Sequence, residues 1–286
     1  MEQLIAKELE LLQSQAKLLW TSANQLKESE RQEELKVIGP LCVGIVESAK
    51  SFILLAENGH YRDAFVTSRT LLETIINVSY MCAIGTDATE KANRHALQKT
   101  KRDLERKLEI EGILIEQTFQ PTDLFLANPK LKEALEEFTS KKGREITSWT
   151  QESVIKRIEI ITDKYGVKPS NFLKLPFYHI YRHSSEIAHG SYFGMLYIKG
   201  LTQLSKPLYS LEQTIDYFEE SEQGIIQLIS FMNNLSLNGM IYILCKEFNF
   251  KNIAKESNKL LEKHLDDINE SLNFRKVKRI TKPKLH

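Results

Sequence analysis

Apolar residues recur along this chain at the three- and four-residue spacing of helices, and no stretch alternates convincingly as a strand. Leu4, Leu9, Leu11, Leu12, Leu18, Leu19 and Leu26 predict an amphipathic N-terminal helix ending near residue 35, with Gly39-Pro40 as its break. A second helix is predicted over about 41–57, stopped by Asn58-Gly59, and a third over about 61–84, stopped by Gly85. The short turn between them makes an αα-hairpin. Residues 87–117 carry Lys99, Lys101, Arg102, Asp103, Glu105, Arg106 and Lys107 over a weaker apolar stripe, so this helix is expected to project from the core or cover it. Residues 118–147, with Pro121, Pro129 and Lys141-Lys142-Gly143, read as a loop-rich connector around one short helix. A further helix spans about 150–164 and ends at Gly166-Val167-Lys168-Pro169; the next opens at Pro176 and closes at His189-Gly190. Residues 190–207 read as irregular and aromatic, Ser210 as the cap of a long helix to about 247, and 251–272 as a last charged helix.

The pattern predicts an all-α multi-helix bundle. A single domain over 1–272 has its core at about 38–85 and 170–248, with a charged helical arm inserted at 86–168. Residues 273–286 form a basic tail expected to be disordered. Residues 225–245 hold no charge over a span long enough to cross a bilayer. Gln227, Ser230, Asn233, Asn234, Ser236 and Asn238 would be costly in lipid, so a buried helix with amides bonding across a helix interface is expected, and no membrane partner. With 39 basic and 38 acidic residues the chain has no global field to draw nucleic acid, which would need a local patch. Cys42, Cys82 and Cys245 lie far apart in apolar contexts, and Met1-Glu2-Gln3-Leu4 does not open a secretory apolar run. Reduced thiols and a cytoplasmic location are the expectation.

Candidate chemistry gathers in Tyr181-Arg182-His183-Ser184-Ser185-Glu186-Ile187-Ala188-His189-Gly190. At about 100° per residue, Arg182, Ser185 and His189 fall within an arc of roughly 60°. Phe177, Ile180, Tyr181, Ile187 and Ala188 fill another sector, suited to a core. A guanidinium matches phosphate oxygens bidentately, and an imidazole in a last helical turn has its cationic form favoured by the helix dipole. Arg182, Ser185 and His189 are therefore the catalytic candidates for phosphate chemistry, with Glu186, His183 and Tyr178 in support. On the third helix Arg69 and Glu73 stand four apart among apolar neighbours, so a partly or wholly buried ion pair is expected. It either fixes helix register or a dimer contact, or it lets Glu73 orient Arg182 or His189.

The Arg-x6-His spacing of Arg182 and His189 resembles the signature of the HEPN superfamily, the "higher eukaryotes and prokaryotes nucleotide-binding" helical domains. His183 departs from that pattern at a position more often Asn. The runs Gly59-His60-Tyr61-Arg62-Asp63-Ala64 and Arg69-Thr70-Leu71-Leu72-Glu73-Thr74 are similar to an uncharacterised bacterial all-helical family. That family pairs an Arg-x-x-x-Glu helix with a Ser-x-x-x-His-Gly segment, matched here by Ser185 and His189-Gly190. Together the resemblances cover roughly 40–85 and 170–250. They imply a HEPN-like core, a homodimer whose site is shared between protomers, and metal-independent cleavage of RNA. A toxin, stress or phage-defence role, with a partner protein or antitoxin, is also what they imply.

Other readings stay open. Arg182 can pair with Glu186 while His189 caps its helix, leaving a non-catalytic ligand-sensing or protein-interaction module. His179, His183 and Glu186 share a face, and a His-x-x-x-His pair can bind zinc; no other cluster supplies further ligands, and no metal is expected. The phosphate-loop, dinucleotide and nucleophile-elbow glycine motifs are missing, which argues against familiar nucleotide hydrolases, Rossmann enzymes and serine hydrolases; no cofactor is expected. In the tail, Arg275, Lys276, Lys278 and Arg279 are either contacts for RNA phosphates or a solubilising or partner-docking terminus.

Overall fold

The longest helix, α11 (Leu211–Glu247), is buried through most of its C-terminal half, and other helices pack around it. Its start is capped as the sequence suggests, Ser210 Oγ accepting from the Gln213 N–H at 3.1 Å. Around it lie α1 (Glu2–Leu26), α3 (Tyr61–Ile84), α8 (Val167–Pro176) and α12 (Lys251–Ser271), with α2 (Gln32–Glu57) packed on α1 and α3. The computed structural model describes residues 2–26, 31–116, 122–203 and 210–271, and these form an all-α bundle. The tail residues Arg275, Lys276, Lys278 and Arg279 lie outside the described residues.

The amides of α11 do bond across helix interfaces. Asn233 Nδ2 donates to Ser68 Oγ of α3 (2.9 Å), and Asn238 Nδ2 to Asn258 Oδ1 of α12 (3.2 Å). Asn234 Nδ2 donates to both the carbonyl (3.0 Å) and the carboxylate (2.6 Å) of Glu8 on α1. Glu8 also lies 3.0 Å from His264 Nε2, so a buried polar knot joins α1, α11 and α12. Both α2 and α11 are long and apolar enough to cross a membrane by length and composition. The apolar window of α11 is 83% buried within the fold and that of α2 33%, so α11 serves as a core helix.

Several boundaries differ from the pattern-based expectation. Arg31 precedes the start of α2 at Gln32, and α2 runs straight through Gly39-Pro40. Pro40 removes one backbone donor, yet Ile38, Cys42, Ile45, Val46 and Ala49 keep one face buried past it, and that packing outweighs the lost bond. The expected helix over 87–117 is instead α4 (Thr86–Leu104) followed by a hairpin of β1 (Lys107–Ile110) and β2 (Ile113–Glu116). Two short helices, α5 (Asp123–Leu126) and α6 (Pro129–Glu137), stand where one was expected. The next helix, α7 (Val154–Tyr165), capped by Ser153, sends Ile158, Ile161 and Tyr165 into the main core against α3 and α8.

Five helix ends meet in one ionic cluster. Arg31, just before α2, pairs with Glu34 and with Glu247 at the end of α11 (2.7 Å). Glu247 also accepts from Tyr165 Oη (2.6 Å) and Lys164 Nζ (3.0 Å) at the end of α7. The Cys82 carbonyl, in the last turn of α3, lies 2.8 Å from Tyr165 Oη, and Thr86 Oγ1 at the start of α4 donates to Glu34 (3.0 Å). Burial alone would raise the Glu247 carboxyl, but hydrogen bonds from Tyr165, Arg31 and Lys164 outweigh it and hold the group below its usual range. A depressed carboxyl contributes stability that is present above its unfolded value near ~4.3 and is lost as pH falls through the folded one. Glu247→Gln should therefore lower stability at pH 7 by roughly 1.5–3 kcal/mol, the worth of hydrogen bonds to a charged group. Thermal melts from pH 7 to 3 should show a shallower acid-induced loss in the variant than in the wild-type chain.

Candidate functional site

The segment carrying Arg182 and His189 is the far end of a helix that starts earlier than Pro176. It begins as α8, passes through a π-helical turn at Phe177–Tyr181 and ends as α9 (Arg182–Ala188). Pro176 (φ −58°, ψ −39°) and Phe177 (φ −57°, ψ −44°) both keep helical dihedrals, so the chain does not restart there. A proline lacks the N–H that its preceding turn needs, and an inserted residue in a wider turn is a recognised accommodation. Ile180 and Ile187 are buried, Phe177 and Tyr181 half-buried, whereas Ala188, assigned to the same sector, is exposed.

The predicted stop at Gly190 is made by backbone geometry. Ser191 N–H donates to the Glu186 carbonyl (3.1 Å) and Gly190 N–H to that of Ile187 (3.1 Å), a Schellman closure with Gly190 at φ +65°. His189 is the capping residue, its N–H donating to the Ser185 carbonyl (3.0 Å). Part of the segment expected to be irregular is helical: Ser191 caps α10 (Tyr192–Ile198), its Oγ accepting from Gly194 N–H at 3.0 Å. A Cβ at Gly194 would stand 2.7 Å from the Glu186 carbonyl carbon, so α10 lies hard against the backbone of α9.

Arg182 and His189 are both exposed, and Ser185 between them is half-buried. Among the described residues neither Arg182 nor His189 has an ion-pair or side-chain hydrogen-bond partner, and Arg182 does not pair with Glu186. His183 behaves differently. Its ring stacks on Tyr197 of α10, centroids 4.0 Å apart and planes within 5°. Burial first, then Arg182 and His179, push its imidazole below the usual value, with Glu186 opposing; the neutral form is favoured. Tyr178 is largely exposed, its ring edge-on to His179 at 5.2 Å, and Tyr192 and Phe193 add exposed aromatic surface. Among the described residues no three His, Cys, Asp or Glu side chains gather closely enough to hold a metal ion. Clefts of about 430 and 330 Å³ run between α1 and α2, and one of about 150 Å³ lies beside Tyr80 and Trp149. None of these three is lined by the ridge residues.

On α3, Arg69 Nε donates to Glu73 (3.0 Å) and its guanidinium lies 4.7 Å from the centre of the Tyr181 ring. Glu73 thus holds Arg69, and through it the π turn, rather than Arg182 or His189. The pair is 26% and 37% exposed, short of the full burial that the apolar setting of α3 allowed. Sequence reasoning assigned no role to two further arginines. Arg62 Nη2 reaches the Ile187 carbonyl at the end of α9 (3.5 Å), and Arg157 of α7 bonds Asn77 Oδ1. Burial lowers the Arg157 guanidinium, while neighbouring Glu73, Tyr181 and Tyr80 oppose it. A signal for this was present. Arg62, Arg69, Glu73, Asn77 and Tyr80 occupy a stripe about 80° wide on α3, counted at 100° per residue.

Two stability measurements follow. Because the Arg69–Glu73 pair is partly open to water, a double-mutant cycle with Arg69→Ala and Glu73→Ala should give a coupling of about 1 kcal/mol or less. Gly194→Ala should cost roughly 1–3 kcal/mol, since the new methyl meets backbone that cannot swing aside; thermal melts measure both.

Comparisons with curated proteins and with solved structures find no match. The model for a family of unknown function, DUF5677, matches residues 35–202. That span runs from within α2 past the end of α10 and takes in both the α3 stripe and the ridge, and the chain belongs to this family.

Proposed function

We propose that the ridge of Arg182, Ser185 and His189 is the working face of a metal-independent endoribonuclease of HEPN type. The observation that supports it is the state of the two key groups: Arg182 and His189 share one exposed ridge, and no described side chain engages either. Cleavage of RNA through its own 2′-hydroxyl needs a proton acceptor, a donor for the leaving 5′-oxygen and a cation for the developing phosphorane charge. In this reading His189 moves the proton and Arg182 clamps the phosphate, with Ser185 donating from its hydroxyl. His183, stacked and biased to neutrality, supports the ridge rather than titrating on it. Each ridge then offers one free imidazole, and a homodimer of the kind the resemblance implies supplies the second. The HEPN resemblance is likewise the support for a role in stress or phage defence and an antitoxin-like partner protein, while the widely spaced cysteines in apolar contexts are the support for a cytoplasmic location.

A second reading is a helical ligand-sensing or interaction module in which the ridge binds an anion without chemistry. The single free imidazole per ridge favours it, because acid and base roles need two proton-transfer groups or one group acting twice. Purified chain incubated with end-labelled RNA in excess chelator separates the two. Cleavage leaving 2′,3′-cyclic phosphate ends should fall by roughly 10²-fold or more in His189→Ala and in Arg182→Ala. In cells, growth arrest with fragmented RNA should appear on expression of the wild-type chain and vanish with His189→Ala. RNA left whole by the wild-type chain, or cut equally well by His189→Ala, would remove the ribonuclease reading. RNA binding that survives without cleavage would support the second.

A further inference from the structure

The β1–β2 hairpin leaves every residue of both strands exposed. Its register pairs Lys107 with Glu116, Leu108 with Ile115, Glu109 with Leu114 and Ile110 with Ile113. Residues paired directly share a face, so Leu108, Ile110, Ile113 and Ile115 make one wholly apolar face, each side chain 49–67% exposed. The other face carries Glu109, Leu114 and the Lys107–Glu116 ion pair (2.5 Å). A two-stranded hairpin alone is marginal in water, and three or more strands with an apolar face are needed for independent stability.

The hairpin also has a free edge of defined phase. Glu111 (φ +49°) and Gly112 (φ +80°) close it in a two-residue turn of the type that matches strand twist. In such a hairpin the pair flanking the turn, Ile110 and Ile113, exchanges its hydrogen bonds, and so does Leu108 with Ile115. The N–H and C=O groups of Lys107 and Glu109 therefore point away from β2, and among the described residues this sheet has two strands, so they meet no third there.

We propose that β1 pairs antiparallel with β1 of a second copy of this chain, about a two-fold axis at Leu108. That register uses the outward backbone groups of Lys107 and Glu109. It sets Lys107 opposite the partner's Glu109 twice over, and Leu108 opposite its own copy. On the polar face each Lys107 then stands between Glu116 of its own hairpin and the partner's Glu109. The β2 edge has no such match: its outward residues, Leu114 and Glu116, would face each other about Ile115 with no opposite charge. Pairing through β1 makes four strands, with eight apolar side chains on one continuous face. An exposed apolar edge is a template for this addition. None of the ridge residues takes part, so the proposal does not depend on the ribonuclease reading.

Sedimentation velocity on the full chain over a concentration series, with thermal melts to confirm folding, tests it. The wild-type chain should show a monomer–dimer equilibrium. Glu109→Lys and Lys107→Glu should each weaken dimerisation roughly tenfold or more, because both cross-strand pairs turn from attraction to repulsion. An equimolar mixture of the two variants should recover a dimer of wild-type strength, each chain offering the charge the other lacks. Glu109→Pro, which removes an outward N–H and none of the hairpin's own bonds, should abolish the dimer without unfolding the chain. A wild-type chain that stays monomeric, a dimer indifferent to these substitutions, or single variants that weaken it but fail to complement one another would overturn the proposal.

Discussion

A helix buried on nearly all sides must deliver its own polar side chains to partners, and that constraint orders this bundle. Asn233, Asn234 and Asn238 of α11 reach three different neighbours, α3, α1 and α12. Apolar packing alone tolerates small slides and rotations, whereas a buried amide loses its bond when its partner moves by an ångström or so. The amides therefore fix the rotation and height of each neighbour about α11. The Glu8–His264 contact tightens the same knot, and the ionic cluster at Glu247 fastens the other end of α11 to α7 and to the chain entering α2.

From that frame the candidate site follows by short steps. Gly239 of α11 lets α8 approach until a Cβ there would stand 2.9 Å from Phe172, so the helix leading to the ridge rests directly on the core. The π turn carries it onto α3, where Arg69 meets Tyr181, and Arg62 meets the end of α9. The Schellman closure and the Gly194 contact then fix α10 beside it. The outcome is a closely packed backbone under two polar side chains that no described side chain engages.

Much of the fold was legible because strong period and strong punctuation coincided. Helix α3 between Asn58-Gly59 and Gly85, α11 behind Ser210, and the stop at Gly190 all carry both. Pro40 and Pro176 misled because a proline's local penalty is set against burial that only the assembled bundle reveals. The hairpin was masked by its charged surroundings: Lys107 and Glu109 continue the run of α4, and Glu111 occupies a left-handed position where Asn, Asp or Gly is the usual sign. At the site, grouping Arg182, Ser185 and His189 needed helical phase alone. Tyr181 against Arg69, the stacking of His183 on Tyr197, and Arg157 against Asn77 are contacts between distant segments: the polar stripe on α3 marks one side of two of them, and no spacing within one helix names the partner.

The π turn gives the ridge a property that packing does not. It holds one residue more than an ordinary helical turn and takes that residue up locally, so α8 before it and α9 after it keep nearly the relative azimuth of one continuous helix. Loss of a single residue from 177–181 would let the turn relax to an ordinary one and leave Arg182, Ser185 and His189 facing much as they do, whereas the same loss within α8 would turn them by about 100° about the helix axis. The π turn is thus a slack link, at which the chain can shorten by one residue while the ridge keeps its face.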